Sequence, residues 1–394
     1  MKSRFVYVTA FEPAGSKTGC SKRKRRSPWG TLACVDNAAR AFFGDTTIDF
    51  KFSHNNHHTM HIGKSYRLRE FLFWTRRNTY ILFLLGLFPV VLHEVFELKW
   101  LNVPWPVVAL LGTATAFTVG FKNAQTYNRA SEGQRIWTDI VSMSRFWGII
   151  SNDFLNDRSK SRELTYRHLA WLAALRYYLR EDRVWESNEK SHNKEYQQFF
   201  QIPERLRPLE DELRESLPEH EVQQILASKN RAGKILALQS KTIKALNDSG
   251  EVIAPQYAEL QRMIKDFYML QSKSEQLKDS PYPRQYAVIN HIFVWTFCFM
   301  LPFGIVHDFD LLNEVVYAPL RGYMAWATIP FSMLISWMYT SLEQVGESTE
   351  NPFEGSANDV PISQMSRQID IELLEMLGEQ DLPDELQPRN NIIL

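Results

Sequence analysis

Cysteine is scarce in this chain, and what there is has no pattern. Cys20, Cys34 and Cys298 are the three cysteines among 394 residues; their spacing fits neither a disulfide framework nor a thiolate metal site. Cys298 stands in an apolar run, where a thiol behaves as a small hydrophobe. Net charge is missing too: 45 lysines and arginines balance 45 aspartates and glutamates, so no global field draws the chain to nucleic acid or to an acidic substrate. The sequence has no Gly-rich phosphate loop, no His-Glu-x-x-His pair and no nucleophile with a base beside it. These absences argue against an enzyme, and neither a cofactor nor a metal is expected. A mean hydropathy of −0.31 matches a soluble protein, but it averages over two unlike parts: four apolar stretches, and the very polar sequence between them.

Residues 1–60 read as a polar tail with little fixed structure. They carry a basic run from Ser21 to Arg26 and no apolar core of the signal-peptide type. His54, His57, His58 and His61 lie in asparagine-rich sequence without a supporting carboxylate or cysteine, which favours a solvated tail over a metal site. Met60 stands just before the first coherent helical pattern, so the upstream part is expected to be dispensable and reads as an over-extended start.

The first apolar stretch, Thr79 to Val95, follows Arg67, Arg69, Arg76 and Arg77 and precedes His93, Glu94 and Glu97 at its far end. Basic residues before and acidic residues after put its start in the cytoplasm. The second, Val103 to Phe121, opens Val-Pro-Trp-Pro and is followed by Lys122, Arg129 and Arg135, which return the chain to the cytoplasm. At about 1.5 Å per residue each just crosses a hydrocarbon core of roughly 30 Å. The third, Ala287 to Val306, and the fourth, about Tyr317 to Tyr339, repeat the arrangement with acidic residues at the outer turn. Four crossings at about 79–97, 103–121, 287–306 and 317–340 leave both termini cytoplasmic. Trp100, Trp105, Trp326, Trp337 and Tyr339 bunch near the ends, as an interfacial belt would. The reading set against it is four buried helices of a soluble protein.

The 122–285 region has helical periodicity and few strand signals. Val222, Ile225, Leu226, Ile235, Leu236, Ile243 and Leu246 keep helical spacing, as do Leu260, Met263, Ile264, Phe267 and Leu270. Pro218, Pro255 and the turn Asn247-Asp248-Ser249-Gly250 punctuate them. The C-terminal segment, 342–394, is polar and acidic with one amphipathic piece, Ile369 to Leu377, expected to pack on the cytosolic part. His93 and Glu94 are expected to be solvated at a membrane interface, and Arg129, Glu132 and Arg135 to staple one helix along its length.

At the end of the second crossing the chain reads Gly120-Phe121-Lys122-Asn123, then Tyr127-Asn128-Arg129, then Glu132-Gly133-Gln134-Arg135-Ile136-Trp137. Three further stretches follow in order: Pro281-Tyr282-Pro283 with Tyr286, Leu301-Pro302-Phe303-Gly304, and Asn351-Pro352-Phe353. Together, over about residues 65–380, these resemble the bestrophin family of ion channels, its bacterial branch above all. Lys122 departs from an arginine of that pattern, and Ala130-Ser131 from a tryptophan pair.

The resemblance implies an all-α membrane protein with four transmembrane helices and a helical cytosolic region, assembled as a homopentamer around a pore. It places a neck on three residues at four-residue steps, Thr113, Phe117 and Phe121, which share one helical face; without it, Phe117 and Phe121 read as packing residues. A hydrophobic neck gates by dewetting, and aromatic edges offer positive charge to an anion. Gly112, Ala114, Ala116 and Gly120 between them would let helices approach closely. Thr113 replaces a more usual apolar residue, which implies a wetter outer neck. A second, cytosolic aperture falls on Tyr282, which otherwise packs in its turn. The positions matching the calcium clasp of animal relatives hold Ser348, Asn351, Ser356 and Asp359, too few carboxylates for calcium gating. The function so implied is passive conduction of chloride-like anions across the plasma or inner membrane, with self, lipid and small inorganic ions as partners and no nucleic acid. Two alternatives stand beside it: a sodium or potassium channel of the same architecture, and a scaffold or sensor that does not conduct.

Overall fold

In the computed structural model the described residues are 68–186, 193–194, 197–390 and 392. The expected tail, its histidines, Cys20, Cys34 and Met60 lie outside them. Ten helices organise the described residues in chain order: α1 Leu68–Glu94, α2 Trp105–Asp153, α3 Arg158–Arg180, α4 Leu209–Ser216, α5 Glu219–Leu226, α6 Arg231–Asp248, α7 Ala254–Asp279, α8 Arg284–Leu311, α9 Thr328–Ser348 and α10 Ile362–Met376. Short 3-10 turns fill several connections. Among the described residues there is no strand, only one isolated bridge between Arg389 and Ile392.

Two packing regions share α2. Its N-terminal half packs with α8 and α9, which also hold α1. Its C-terminal half packs with α7 and α10, while α3 packs on α4, α6 and α10. The second region is an ordinary hydrophobic core. Trp137, Trp147, Trp171 and Phe267 are fully buried, and His168 sits among the last three, its ring centroid 4.6 Å from that of Phe267 and 6.0 Å from that of Trp147. Burial pushes the His168 imidazole down to about 3, so it stays neutral, with Nε2 2.9 Å from the Ser144 hydroxyl. The Trp171 indole donates to Gln271 Oε1 at 3.0 Å, which satisfies a polar group that would otherwise be costly inside. α10 buries Ile362, Met365, Ile369 and Leu373, so the amphipathic C-terminal piece packs where its pattern points.

The first region is built differently. α9 buries Thr328, Ser332, Ser336 and Thr340 and exposes Phe331, Leu334, Met338 and Leu342. That is a helix with its polar stripe inward. Two of its hydroxyls turn back on their own backbone, Ser332 Oγ to the Ile329 carbonyl at 3.2 Å and Thr340 Oγ1 to that of Ser336 at 3.0 Å, which pairs them inside the packed face. Small groups let the axes close up: a Cβ placed on Gly86 of α1 would stand 3.0 Å from Ser332 Oγ, and one on Gly304 of α8 would stand 2.6 Å from Val108 of α2. Tight packing of small residues is what holds helices together where the surrounding solvent is as apolar as the side chains. The apolar clusters here are small, such as Leu82 with Val119, Val294 and Cys298, and Cys298 is the buried apolar thiol its context suggests. Two described helices, Trp105–Asp153 and the one opening at Arg284, are long and apolar enough to cross a membrane.

Helix limits differ from the expected crossings for identifiable reasons. α1 starts at Leu68, eleven residues before the stretch expected from 79, and stops at Glu94, short of 97; Glu97 takes a positive φ of 54°, which breaks the helix. α2 begins after Pro104 with proline in its first turn, where the missing N–H is not needed. It does not stop at Phe121 but continues unbroken for 49 residues. α8 opens at Arg284, just after Pro283. The stretch expected over 317–340 is not one helix: 3-10 turns occupy Ala318–Leu320 and Met324–Ala327, and α9 begins only at Thr328. Gly322, at φ 91°, bends this connection, and Asn313 Oδ1 accepts from its N–H at 2.8 Å.

Candidate functional site

Phe117 and Phe121 are 67% and 55% exposed on α2, although both are large apolar side chains in a long apolar helix. Their rings meet edge to face, centroids 4.5 Å apart at 79°, as residues one turn apart do on one helical face. Thr113, one turn earlier, is also exposed, and its hydroxyl donates to the Ala109 carbonyl at 2.9 Å. The hydroxyl hydrogen is thereby taken by its own helix, which leaves the methyl group and an oxygen lone pair outward. With this bond the Thr113 hydroxyl offers water an acceptor but no donor.

The small residues between them have separate roles. Gly112 is buried, and a Cβ there would meet the Phe297 ring of α8 at 2.7 Å, so it lets α8 close on the back of α2. Gly120 faces open space, with no heavy atom within 4 Å of a built Cβ. Gly120, with the exposed Ala114 and Ala116, leaves room for another helix on the outer side of α2.

Several of the motif residues meet in the second half of α2, whereas Leu301-Pro302-Phe303-Gly304 packs near its start, at Val108. Arg129 Nε donates to the Glu350 carbonyl at 3.0 Å and Nη2 to the Leu277 carbonyl at 3.1 Å. Its guanidinium therefore fastens α2 to the ends of α9 and α7, rather than acting as the staple along one helix that the spacing suggested. Burial lowers its pKa, opposed by Glu350 and Glu132. Four residues on, Gly133 receives the Asn-Pro-Phe segment: a Cβ there would stand 3.2 Å from both Phe353 and Pro352, and Phe353 is fully buried. Arg129, Gly133 and the Asn-Pro-Phe segment, among the residues that carry the sequence resemblance, thus anchor the long helix.

Tyr282 lies in the short segment between α7 and α8 and is partly buried. Burial, with Glu350 and Tyr286 adding to it, pushes its phenol up, so the hydroxyl keeps its proton and remains a donor. Through Glu350 it shares a neighbourhood with Arg129 at the C-terminal end of α9, apart from the Phe117–Phe121 pair in the first half of α2.

The segment after α9 is a closed, buried loop. Asp359 accepts from the Gly355 and Ser356 N–H groups at 2.6 and 3.0 Å and from the Ser356 hydroxyl at 2.6 Å, with Arg180 Nη1 3.7 Å away. Burial raises the Asp359 carboxyl to about 6 against the pull of Arg180. Asn351 donates to Glu354 Oε2 at 3.2 Å, and the Ser356 hydroxyl also reaches the Ser348 carbonyl at 3.4 Å. All four residues at the clasp positions are buried and spend their polar atoms within the chain. His93, expected in solvent, is 3% exposed, with Nδ1 3.1 Å from Glu94 and Nε2 3.8 Å from Asp310 in the last turn of α8.

Sequence reasoning did not single out the inward hydroxyl stripe Ser332, Ser336 and Thr340. Its signal was available: three small hydroxyl residues at four-residue steps inside an apolar stretch.

A crystal structure of a bacterial bestrophin homologue from Klebsiella pneumoniae shares this fold. It superposes with a TM-score of 0.65 at 23% identity, covering 78% of this chain and 99% of that one. A family model described as bacterial/fungal bestrophin protein matches residues 76–375, and the chain belongs to that family. Among curated relatives, the voltage-dependent anion channel-forming protein YneE of Escherichia coli K12 is 25% identical over 299 residues, which is 75% of this chain and 85% of YneE. The voltage-dependent anion channel-forming protein RSc3414 of Ralstonia nicotianae is 23% identical over 318 residues, 80% and 90% of the two chains.

Proposed function

We propose that this chain is the subunit of a homopentameric membrane channel that passes chloride-like monovalent anions. Its four crossings are α1, the N-terminal half of α2, α8 and α9, with both termini in the cytoplasm. The neck is formed by Thr113, Phe117 and Phe121 from each copy, and Tyr282 narrows the cytosolic exit. The observation that carries this reading is the exposed, edge-to-face Phe117–Phe121 pair on a 49-residue helix that runs from the apolar bundle into the cytosolic core. Large aromatic side chains left outward on one face call for a partner surface, and five copies of the same face around an axis supply it. The relatives' names point to anions. So does the chemistry of the face, which carries no carboxylate and presents ring edges of positive potential.

The test is the reversal potential of the purified protein in a planar bilayer under a potassium chloride gradient. Reversal near the chloride Nernst potential is expected. Reversal near the potassium value would keep the pore and overturn the selectivity; no current from a correctly assembled oligomer would overturn the channel reading.

A further inference from the structure

A cavity of about 460 Å³ opens where the cytosolic end of α1 meets α2, the end of α9 and the loop after it. Its volume is in the range that takes small organic ligands, roughly 300–1,000 Å³. Four aromatic side chains line it, Phe71, Trp74, Tyr127 and Phe200, and among the described lining residues Glu70 is the charged one; the other described ones are small, aliphatic or neutral and polar. No lysine, arginine or histidine is among the described lining residues.

The aromatic wall is held in place before any ligand arrives. Phe71 stands 5.9 Å from Trp74 and edge-on to Trp337 of α9 at 5.7 Å, and Gln344 of α9 donates to the Trp74 carbonyl at 3.4 Å. Phe200 is buried, whereas Tyr127 is 71% exposed and flanks the opening. Aromatic faces attract cations, most strongly when desolvated, and a single carboxylate adds attraction of the same sign. An anion would meet the Glu70 carboxylate, and none of the described lining residues is basic.

We propose that this cavity binds an organic cation, a tertiary or quaternary ammonium carrying an apolar body. Tyr127 and Ala130 belong to α2, between the Phe121 ring and the Arg129 and Gly133 anchors. An occupant therefore sits between α1, α9 and the long helix, where it stiffens or tilts α2 from behind. The site is separate from the conducting face and is tested without measuring current.

Tetraphenylphosphonium and tetraphenylborate are matched in size and opposite in charge. Equilibrium dialysis of the purified full-length protein in neutral detergent should show the phosphonium bound about tenfold more tightly than the borate, a gap of about 1.4 kcal/mol. Glu70→Gln should weaken the phosphonium about fivefold and Tyr127→Leu about threefold, while Phe117→Ala leaves it unchanged. Displacement by dodecylphosphocholine as well as by dodecyltrimethylammonium would name a choline lipid as the natural source; displacement by the latter alone would name a free amine. Equal affinity for the two ions in the unmodified protein overturns the proposal, as does unchanged phosphonium affinity in Glu70→Gln with assembly intact.

Discussion

Helices α3 and α9 are of similar length, 23 and 21 residues, and follow opposite rules. α3 buries Leu164, Trp171, Leu172 and Leu175 and keeps Lys160 and Arg162 at its surface. α9 buries Thr328, Ser332, Ser336 and Thr340 and turns Phe331, Leu334 and Met338 outward. In water, burying apolar area yields about 25 cal/mol per Å², and α3 is arranged to collect it. Between helices in lipid that gain vanishes, and close approach of small groups takes its place. The long helix α2 obeys each rule in turn: Phe117 and Phe121 are exposed in its first half, Trp137 and Trp147 fully buried in its second.

The contrast breaks most easily in the core around α3. Trp171→Ala should cost about 3–5 kcal/mol, the usual range for a buried tryptophan, while Phe331→Ala should change stability by less than about 0.5 kcal/mol. Denaturant unfolding in a mild detergent measures both. Comparable losses would mean that α9 packs its apolar face after all.

Ser336→Leu sharpens the same comparison from the other side. In a soluble core an added apolar side chain gives transfer energy that offsets part of the strain. Here Ser336 is buried against α8, with the Cys298 thiol 3.8 Å from its carbonyl, and there is no water to escape. A loss of about 1–3 kcal/mol from overpacking is expected, read as a lowered thermal midpoint; stabilisation would contradict the assigned solvent.

A smaller effect separates the halves by pH. Burial raises the Asp370 carboxyl to about 6, partly offset by Arg176 and Arg367 and reinforced by Glu212. Above pH 6 the folded state holds a buried charge that the unfolded chain solvates. As pH falls from 7 towards 4 the folded state takes its proton first, so this group's contribution becomes more favourable on acidification. Asp370→Asn removes that dependence. Relative to the unmodified protein it should be better placed at pH 7.5 than at pH 4.5 by on the order of 2 kcal/mol, and a pH-independent difference would contradict the shift. Glu204, held below its usual range mainly by Arg176 and Arg180 against its burial, acts with the opposite sign at lower pH.

The sequence made the two solvents legible because hydropathy and helical period are local properties. The apolar stretches, the amphipathic run from Val222 to Leu246 and the turn at Gly250, with φ 81°, could all be read in advance. The limits of helices were less legible. Hydropathy falls after Phe121, yet α2 continues, because Lys122 and Thr126 are buried against neighbouring elements and the backbone needs no break when its solvent changes. Conversely, apolar residues 317–327 look like part of a crossing, but Gly322 and the Asn313 side chain fold them into turns. Arg129 was legible as a motif residue and not as a clamp, since its partners are backbone carbonyls 148 and 221 positions away. The Phe117–Phe121 face was legible only through resemblance; spacing alone fits packing equally well. The aromatic cavity at Glu70 joins segments up to 288 positions apart, 70 to 358, and no local pattern announces it.

The most direct test of the account is single-channel conductance with Phe117→Ala set beside Phe331→Ala. Both remove a phenyl ring from an exposed apolar position of the same bundle, one on the face assigned to the neck and one on the face assigned to lipid. The account predicts a several-fold change in conductance for Phe117→Ala and unmodified conductance for Phe331→Ala. Equal behaviour of the two variants would contradict it.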